Sequence, residues 1–286
     1  MGVEKINMLK LLEKSIKDCR NSLRSACFDH AVRLGGERFT KLLNMAAALK
    51  RTGVTFQYDP SRNVYSYVDE KHGKPVYFFH KKRAIIYKKG IVSRTSLLAR
   101  DYFLSRVDFS DGDVVIDCGA NIGELYFWFV FNGLSIRYIA FEPSPLEFSA
   151  LRLNCPDAES HNVALWNRNE TLNFYLASED ADSSIIEPAR HQGAIGVEAR
   201  RLDDYVTGPV RLLKLEAEGA EPEILEGIGE KLPLIHYIAA DLGFERGVER
   251  ESTLAPVTNM LLRRNFSLVD VAYPRVTALF RNDRFS

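Results

Sequence analysis

Between Asp113 and Phe280 the chain alternates short apolar runs with helical stretches, and that alternation leaves few folds open. The runs fall at residues 114–117, 137–142, 162–165, 211–216, 237–241, 266–271 and 276–280. The earlier ones are continuous rather than alternating, as strands buried on both faces are. Helical patterns at 123–132, 145–154, 222–231 and 252–264 separate them. Strand–helix alternation of this kind predicts an α/β fold with a parallel, doubly wound sheet. The last two runs are joined only by residues 272–275, too short for a parallel crossover, so they form an antiparallel hairpin.

The first ninety residues read differently. Ile6, Leu9, Leu12 and Ile16 predict an amphipathic helix over 4–28. Gly35-Gly36 breaks it, and Phe39, Leu42, Leu43, Ala46 and Leu49 mark a second helix that stops near Gly53. Aromatic and β-branched runs at 55–58, 64–68, 75–80 and 84–88 predict a small antiparallel meander. The boundary expected from this change of character divides an N-terminal helical and β extension, 1–92, from a larger domain, 93–286.

Composition removes whole classes of function. Lys+Arg and Asp+Glu are 38 each, so the basic excess of a nucleic-acid binder is missing. No apolar run approaches the ~20 residues of a membrane span. The N-terminus shows no apolar signal core, and the four cysteines form no Cys-x-x-Cys pair, which predicts reduced thiols in a cytoplasmic protein. In the helix at 123–132, Leu125 to Phe131 are apolar all round. A helix on one face of a sheet has a polar outside, so the N-terminal region or a partner subunit in a homodimer must cover this one.

In open α/β sheets ligands bind at the carboxyl ends of the strands. The first strand ends Asp117-Cys118-Gly119-Ala120-Asn121-Ile122-Gly123 and runs into a helix. Gly119 and Gly123 permit a tight turn and a ligand close to the backbone. The second glycine that a pyrophosphate needs is missing, since Ala120-Asn121 stands there. Glu142 ends the next strand, where a carboxylate can accept both hydroxyls of a ribose. Pro143 offers a face to a base, with a plain turn proline as the alternative, and Ser144-Pro145-Leu146-Glu147 reads as a capping box. A nucleoside-binding acid without a phosphate cradle points to S-adenosylmethionine, whose ammonium and sulfonium suit acids such as Asp117.

Further along, Glu216 and Glu218 end the fourth strand and Asp241 the fifth, so these carboxylates converge. Such a cluster could deprotonate a hydroxyl or hold a divalent metal. Glu221, like Glu218, has a second reading as a cap of the helix at 222–231, and Lys214 pairs with a buried acid or points at substrate. His161 and His236 lie at the wrong strand ends for catalysis, and His191 reads as a surface residue, in a loop that with Ser183 and Ser184 could fold over substrate.

These segments, together with Asn162-Val163-Ala164-Leu165 and the stretch from Leu213 to Leu225, resemble the FkbM family of methyltransferases from about Asp111 to Phe280. The resemblance implies a class I, Rossmann-like methyltransferase with a seven-stranded sheet, and O-methylation of hydroxyls, often on sugars or polyketides. With the strand-end reading it makes Asp117, Gly119, Asn121, Gly123, Glu142, Pro143 and Ala164 the cofactor-binding set. Many members have Asp where this chain has Glu216, which keeps the charge and lengthens the reach. The expected activity is methyl transfer from S-adenosylmethionine to a hydroxyl of a small-molecule or glycan acceptor, with Asp241, Glu216 and Glu218 as the catalytic candidates. A polyketide, lipid or protein acceptor, and a non-catalytic scaffold of the same fold, stay open as alternatives.

Overall fold

The structure, a computed structural model, describes residues 25–177, 183–273 and 275–285. Most of the helix expected over 4–28 lies outside them; residues 25–34 are helical (α1). Gly35, with φ +63°, turns the chain into α2 (Gly36–Lys50), whose Phe39 and Ala47 are buried while Leu49 is 87% exposed. Then β1 (Val54–Asp59), β2 (Val64–Asp69) and β3 (Val76–Phe78) form the expected antiparallel meander. Its fourth expected strand is a helix instead, α3 (Ala84–Tyr87). Ala84 and Tyr87 face inward three residues apart and Ile85 and Ile86 face out, a helical spacing that β-branched composition concealed. The helix α4 (Gly90–Asp101) follows, so the boundary expected at 92/93 falls within a helix.

The large sheet is built from β4 (Val114–Cys118), β5 (Arg137–Phe141), β6 (Glu159–His161), β10 (Val210–Leu215), β11 (Ile235–Asp241), β14 (Phe266–Ala272) and β15 (Thr277–Asn282). Across the sheet the order is β6-β5-β4-β10-β11-β15-β14. All pairings from β6 to β11 are parallel, and β15 is antiparallel to both β11 and β14. This is the expected seven-stranded, Rossmann-like α/β sheet with its terminal antiparallel hairpin. The order reverses at β4, between β5 and β10, which opens a crevice at its carboxyl end.

One expected strand divides. Residues 162–165 do not continue the large sheet: Asn162 donates to the carbonyls of Glu142 and Pro143 and turns the chain away. Beyond it β7 (Ala164–Trp166) pairs with β9 (Ala194–Arg201), which also pairs with β8 (Glu170–Tyr175), in a separate sheet. The two remaining short strands, β12 (Phe244–Arg246) and β13 (Glu251–Ser252), form a hairpin after β11.

Helices α5 (Tyr126–Phe131), α6 (Pro145–Asn154), α7 (Glu221–Ile228) and α8 (Leu254–Leu262) complete the fold. Side chains of α7, α8 and the sheet share one core; those of α4, α5 and the opposite sheet face share a second. The N-terminal residues do not form a core of their own. Phe39, Tyr67, Phe78 and Tyr87 pack in one cluster with Ile122, Phe127 and Ala150 of the larger unit. The ring of His72 lies 5.3 Å from Phe127 and 5.3 Å from Phe131. The N-terminal region thus covers one flank of the apolar helix α5, while Val130 is 47% exposed.

Candidate active site

A cavity of about 450 Å³ opens at the carboxyl ends of β4, β5 and β10. Of the expected site residues, Gly119, Asn121, Glu142, Pro143, Ala164, Glu216 and Glu218 line it; Asp117, Gly123 and Asp241 do not.

One end is organised by Glu142. Its Oε2 accepts the Asn121 N–H at 2.8 Å and its Oε1 accepts the Ser144 N–H at 2.8 Å. Asn121 sits at φ +50° and Gly119 at φ +73°, so the turn curls back over the strand end. A Cβ on Gly119 would lie 1.9 Å from the Glu216 carbonyl oxygen, so the turn closes only with glycine there. Gly123 packs under the turn, against Cys155 and Leu151. Burial pushes the Glu142 carboxyl up to about 8; the nearby Glu147 charge adds to this and the two amides oppose it. The expected capping box does not form, because Glu142 takes the Ser144 N–H and the Ser144 hydroxyl donates to Glu147. His80 Nε2 lies 2.8 Å from Glu147.

The other end is held by cations. Lys214 Nζ, 3% exposed as a residue, lies 2.9 Å from Asp117 and 3.0 Å from Glu216, and donates to the Gly119 carbonyl at 2.8 Å. Asp117, 1% exposed, also accepts the Tyr138 hydroxyl. It does not face the cavity as the cofactor reading expects, because its charge is matched from below the floor. Arg275 spans Glu216 and Asp241, bonding to both. Burial works to raise the Glu216 carboxyl, but Lys214 and Arg275 outweigh it and hold it well below the usual range. Asp241 is raised by burial against the pull of Arg275. It is 1% exposed and reaches the cavity only through Arg275. The guanidinium also fills the place between Glu216 and Asp241 that a divalent metal would need, and no cluster with metal-ligand geometry occurs among the described residues.

Glu221 caps the turn below the cavity, accepting from the amides of Ala217 and Gly219 and from the Thr253 hydroxyl. Glu218, at φ +51°, lines the cavity, and its carbonyl accepts from Ser184 Oγ at 3.1 Å. No histidine lines the cavity among the described residues.

Three contributors escaped the sequence reading. Arg275 lies in the hairpin link, and Glu245 follows Asp241 by four residues. The third is Glu124, which accepts from Arg94 Nε and Nη2 at 3.1 Å each and from Arg83 Nη2 at 3.4 Å. Arg83, Arg94, Lys82, Ile85 and Ile86 bring the N-terminal region into the cavity wall. A glycine turn with no room for a Cβ and a strand-end carboxylate facing it suit a nucleoside, and the cations Arg83 and Arg94 in the wall are committed to Glu124.

Comparison with known proteins agrees with this geometry. Residues 117–253 match the family described as the methyltransferase FkbM domain. The chain is 26% identical to the 2-O-methyltransferase NoeI of Sinorhizobium fredii, over 57% of this chain and 75% of that protein. It is 25% identical to the 31-O-demethyl-FK506 methyltransferase FkbM of Streptomyces tacrolimicus, over 59% of this chain and 78% of that one. Among solved structures, an rRNA methylase from Streptococcus thermophilus is similar over 65% of this chain and 96% of its own, at 16% identity and a TM-score of 0.39.

Proposed function

Because the chain belongs to the FkbM family of S-adenosylmethionine-dependent methyltransferases, we propose that it transfers a methyl group to a hydroxyl of a sugar, a glycan or a glycosylated metabolite. The observation that most supports the cofactor half of this reading is Glu142 facing the Gly119 turn. Each Glu142 oxygen keeps a lone pair after accepting its amide, so the group in its ionised form can take both ribose hydroxyls. Pro143 and Ala164 offer apolar wall for the base, and the Asn121 turn sits over the amino-acid portion. Glu216, kept ionised by Lys214 and Arg275, sets a negative charge where a sulfonium and an ammonium would lie.

The bound cofactor supplies an electrophilic methyl group on sulfur. The chain's own residues align the acceptor with it, exclude water and receive a proton. Glu218 lines the cavity, and Asp241 acts on the cavity through Arg275. The oxygen acceptor is supported by the two relatives whose names specify O-methylation. A sugar is favoured by the charged acceptor end, where Glu216, Glu245 and Arg275 suit clustered hydroxyls. The free thiols Cys27, Cys118 and Cys155 fit the reducing cytoplasm.

The test has two parts. Titration calorimetry should show saturable binding of S-adenosylmethionine. Incubation with methyl-tritiated cofactor and a cell extract should then place label in the glycan fraction, recovered as O-methyl sugar after acid hydrolysis. Label confined to protein or lipid would overturn the acceptor class, and no cofactor binding would overturn the whole reading.

A further inference from the structure

We propose that Glu245 is the base that takes the proton of the acceptor hydroxyl, a role that rests on the O-methyltransferase reading above. Besides Glu218, whose carbonyl is tied to Ser184, three carboxyls converge at this end of the cavity, and their partners separate them. Glu216 is committed to Lys214 and Arg275 and is far too weak a base. Asp241 is bonded to Arg275 and to the Gly243 N–H, and does not reach the cavity surface. Glu245 lines the cavity and has no hydrogen-bond or ion-pair partner among the described residues.

Its direction is built into β12. Alternate residues of a strand point to opposite sides. Phe244 is 65% exposed, and Arg246 is tied outward, bonding to Glu223 at 2.6 Å and 2.9 Å and to the Gly219 carbonyl. Glu245, between them, points the other way, into the cavity. The strand lies so close to the turn after β10 that a Cβ on Gly219 would sit 2.6 Å from the Arg246 Cα. Glycine at 219, at φ +98°, therefore sets how far Glu245 projects.

Burial pushes the Glu245 carboxyl up to about 8, with Asp241 and Glu216 adding to the effect and Arg275 opposing it. That suits proton transfer near neutral pH, where a base works best with a pKa close to the operating pH. In the step itself, the acceptor oxygen forms its bond to the methyl carbon as the carbon–sulfur bond breaks, the electron pair going to sulfur. The hydroxyl proton passes to a Glu245 carboxylate oxygen, which returns it to water after product release.

Two measurements test this. With tritiated cofactor and the glycan-containing fraction, Glu245→Gln should lower the initial rate by about 100–10,000-fold. Calorimetry should show its cofactor affinity unchanged, and Glu245→Asp should recover part of the rate. The wild-type rate should rise with pH through the region near 8, and this rise should vanish in Glu245→Gln. Without any acceptor, carbon-13 NMR of glutamate-labelled protein should show a carboxyl titrating near 8 that is missing from Glu245→Gln. Wild-type turnover in Glu245→Gln, or a Glu245 midpoint in the ordinary carboxylate range, overturns the assignment. Failure of the wild type to bind cofactor sinks instead the reading it rests on.

Discussion

The two ends of the cavity use the same residue type and reach opposite charge states. Glu142 and Glu216 are both glutamates at strand tips, and both are largely withdrawn from water. Glu142 is held by two neutral amides, so burial prevails and its proton binds tightly. Glu216 is held by a lysine and an arginine, so the cations prevail and its proton is expelled. The difference teaches that burial alone does not determine what a buried carboxylate does. Dipoles hold a group in place while leaving its charge to respond to a ligand, whereas full charges fix it. Glu142 is thereby responsive and Glu216 preset.

The largest expected effect comes from removing the preset charge. Lys214→Met strands Asp117 and Glu216 with one cation fewer, and breaking a buried ion pair in this way costs about 3–5 kcal/mol. Urea unfolding followed by circular dichroism measures it; a loss below about 1 kcal/mol, the scale of an exposed pair, would mean the floor network is not what holds this end together. Next comes the responsive end. Glu142→Ala should weaken S-adenosylmethionine binding by about 10–150-fold, the ~1.5–3 kcal/mol of a hydrogen bond to a charged group. Wild-type affinity in the folded variant, read by calorimetry, would remove Glu142 from the ribose site.

A smaller effect distinguishes the ends by sign. Glu142 binds its proton more tightly when folded, so the stability it adds is complete below the usual carboxylate range and is lost as pH rises towards 8. Glu216 runs the other way, adding stability that is lost in acid. Unfolding free energies from urea titrations between about pH 5 and 8 should therefore fall less steeply in Glu142→Gln than in the wild type, by at most about 1.4 kcal/mol per pH unit. An unchanged slope would show that the amides, not burial, set the charge of Glu142. The smallest expected effect is none: a chelator should leave methyl transfer intact, since Arg275 already bridges Glu216 and Asp241. Activity lost to chelator and restored by a divalent ion would require that bridge to open.

What was legible in the sequence follows how local the interactions are. The first two strand runs, the Gly119 turn and Glu142 lie within thirty residues of one another, and β4 and β5 pair in plain register. For Lys214 the sequence left a buried acid and substrate both open, and the strand register, which puts it directly beside Asp117, decides for the acid. Arg275 was not legible: its residues of contact lie 34 and 59 positions away, and the hairpin link reads as a turn and nothing more. Glu245 was passed over because its role depends on where Arg246 is anchored, in α7. The small sheet of β7, β8 and β9 was missed for a different reason. Glu170–Tyr175 is exposed along one side and only Phe174 is buried, so hydrophobicity gives it no strand signal.

The wall formed by Arg83, Arg94 and Glu124 ties the first third of the chain to whatever fills the cavity. A ligand that binds only the folded protein stabilises it by about 2.7 kcal/mol at one hundred times its dissociation constant. Part of that gain should reach the meander of β1, β2 and β3, because its rings share one apolar cluster with Ala84, Tyr87 and Ile91, close in the chain to Arg83 and Arg94, and with Ile122 and Phe127. Protease nicking in the loop between β2 and β3 should slow as the cofactor concentration rises. The N-terminal third would then act as a built-in reporter of occupancy, and grafting it from a relative would alter the catalytic chamber along with the scaffold.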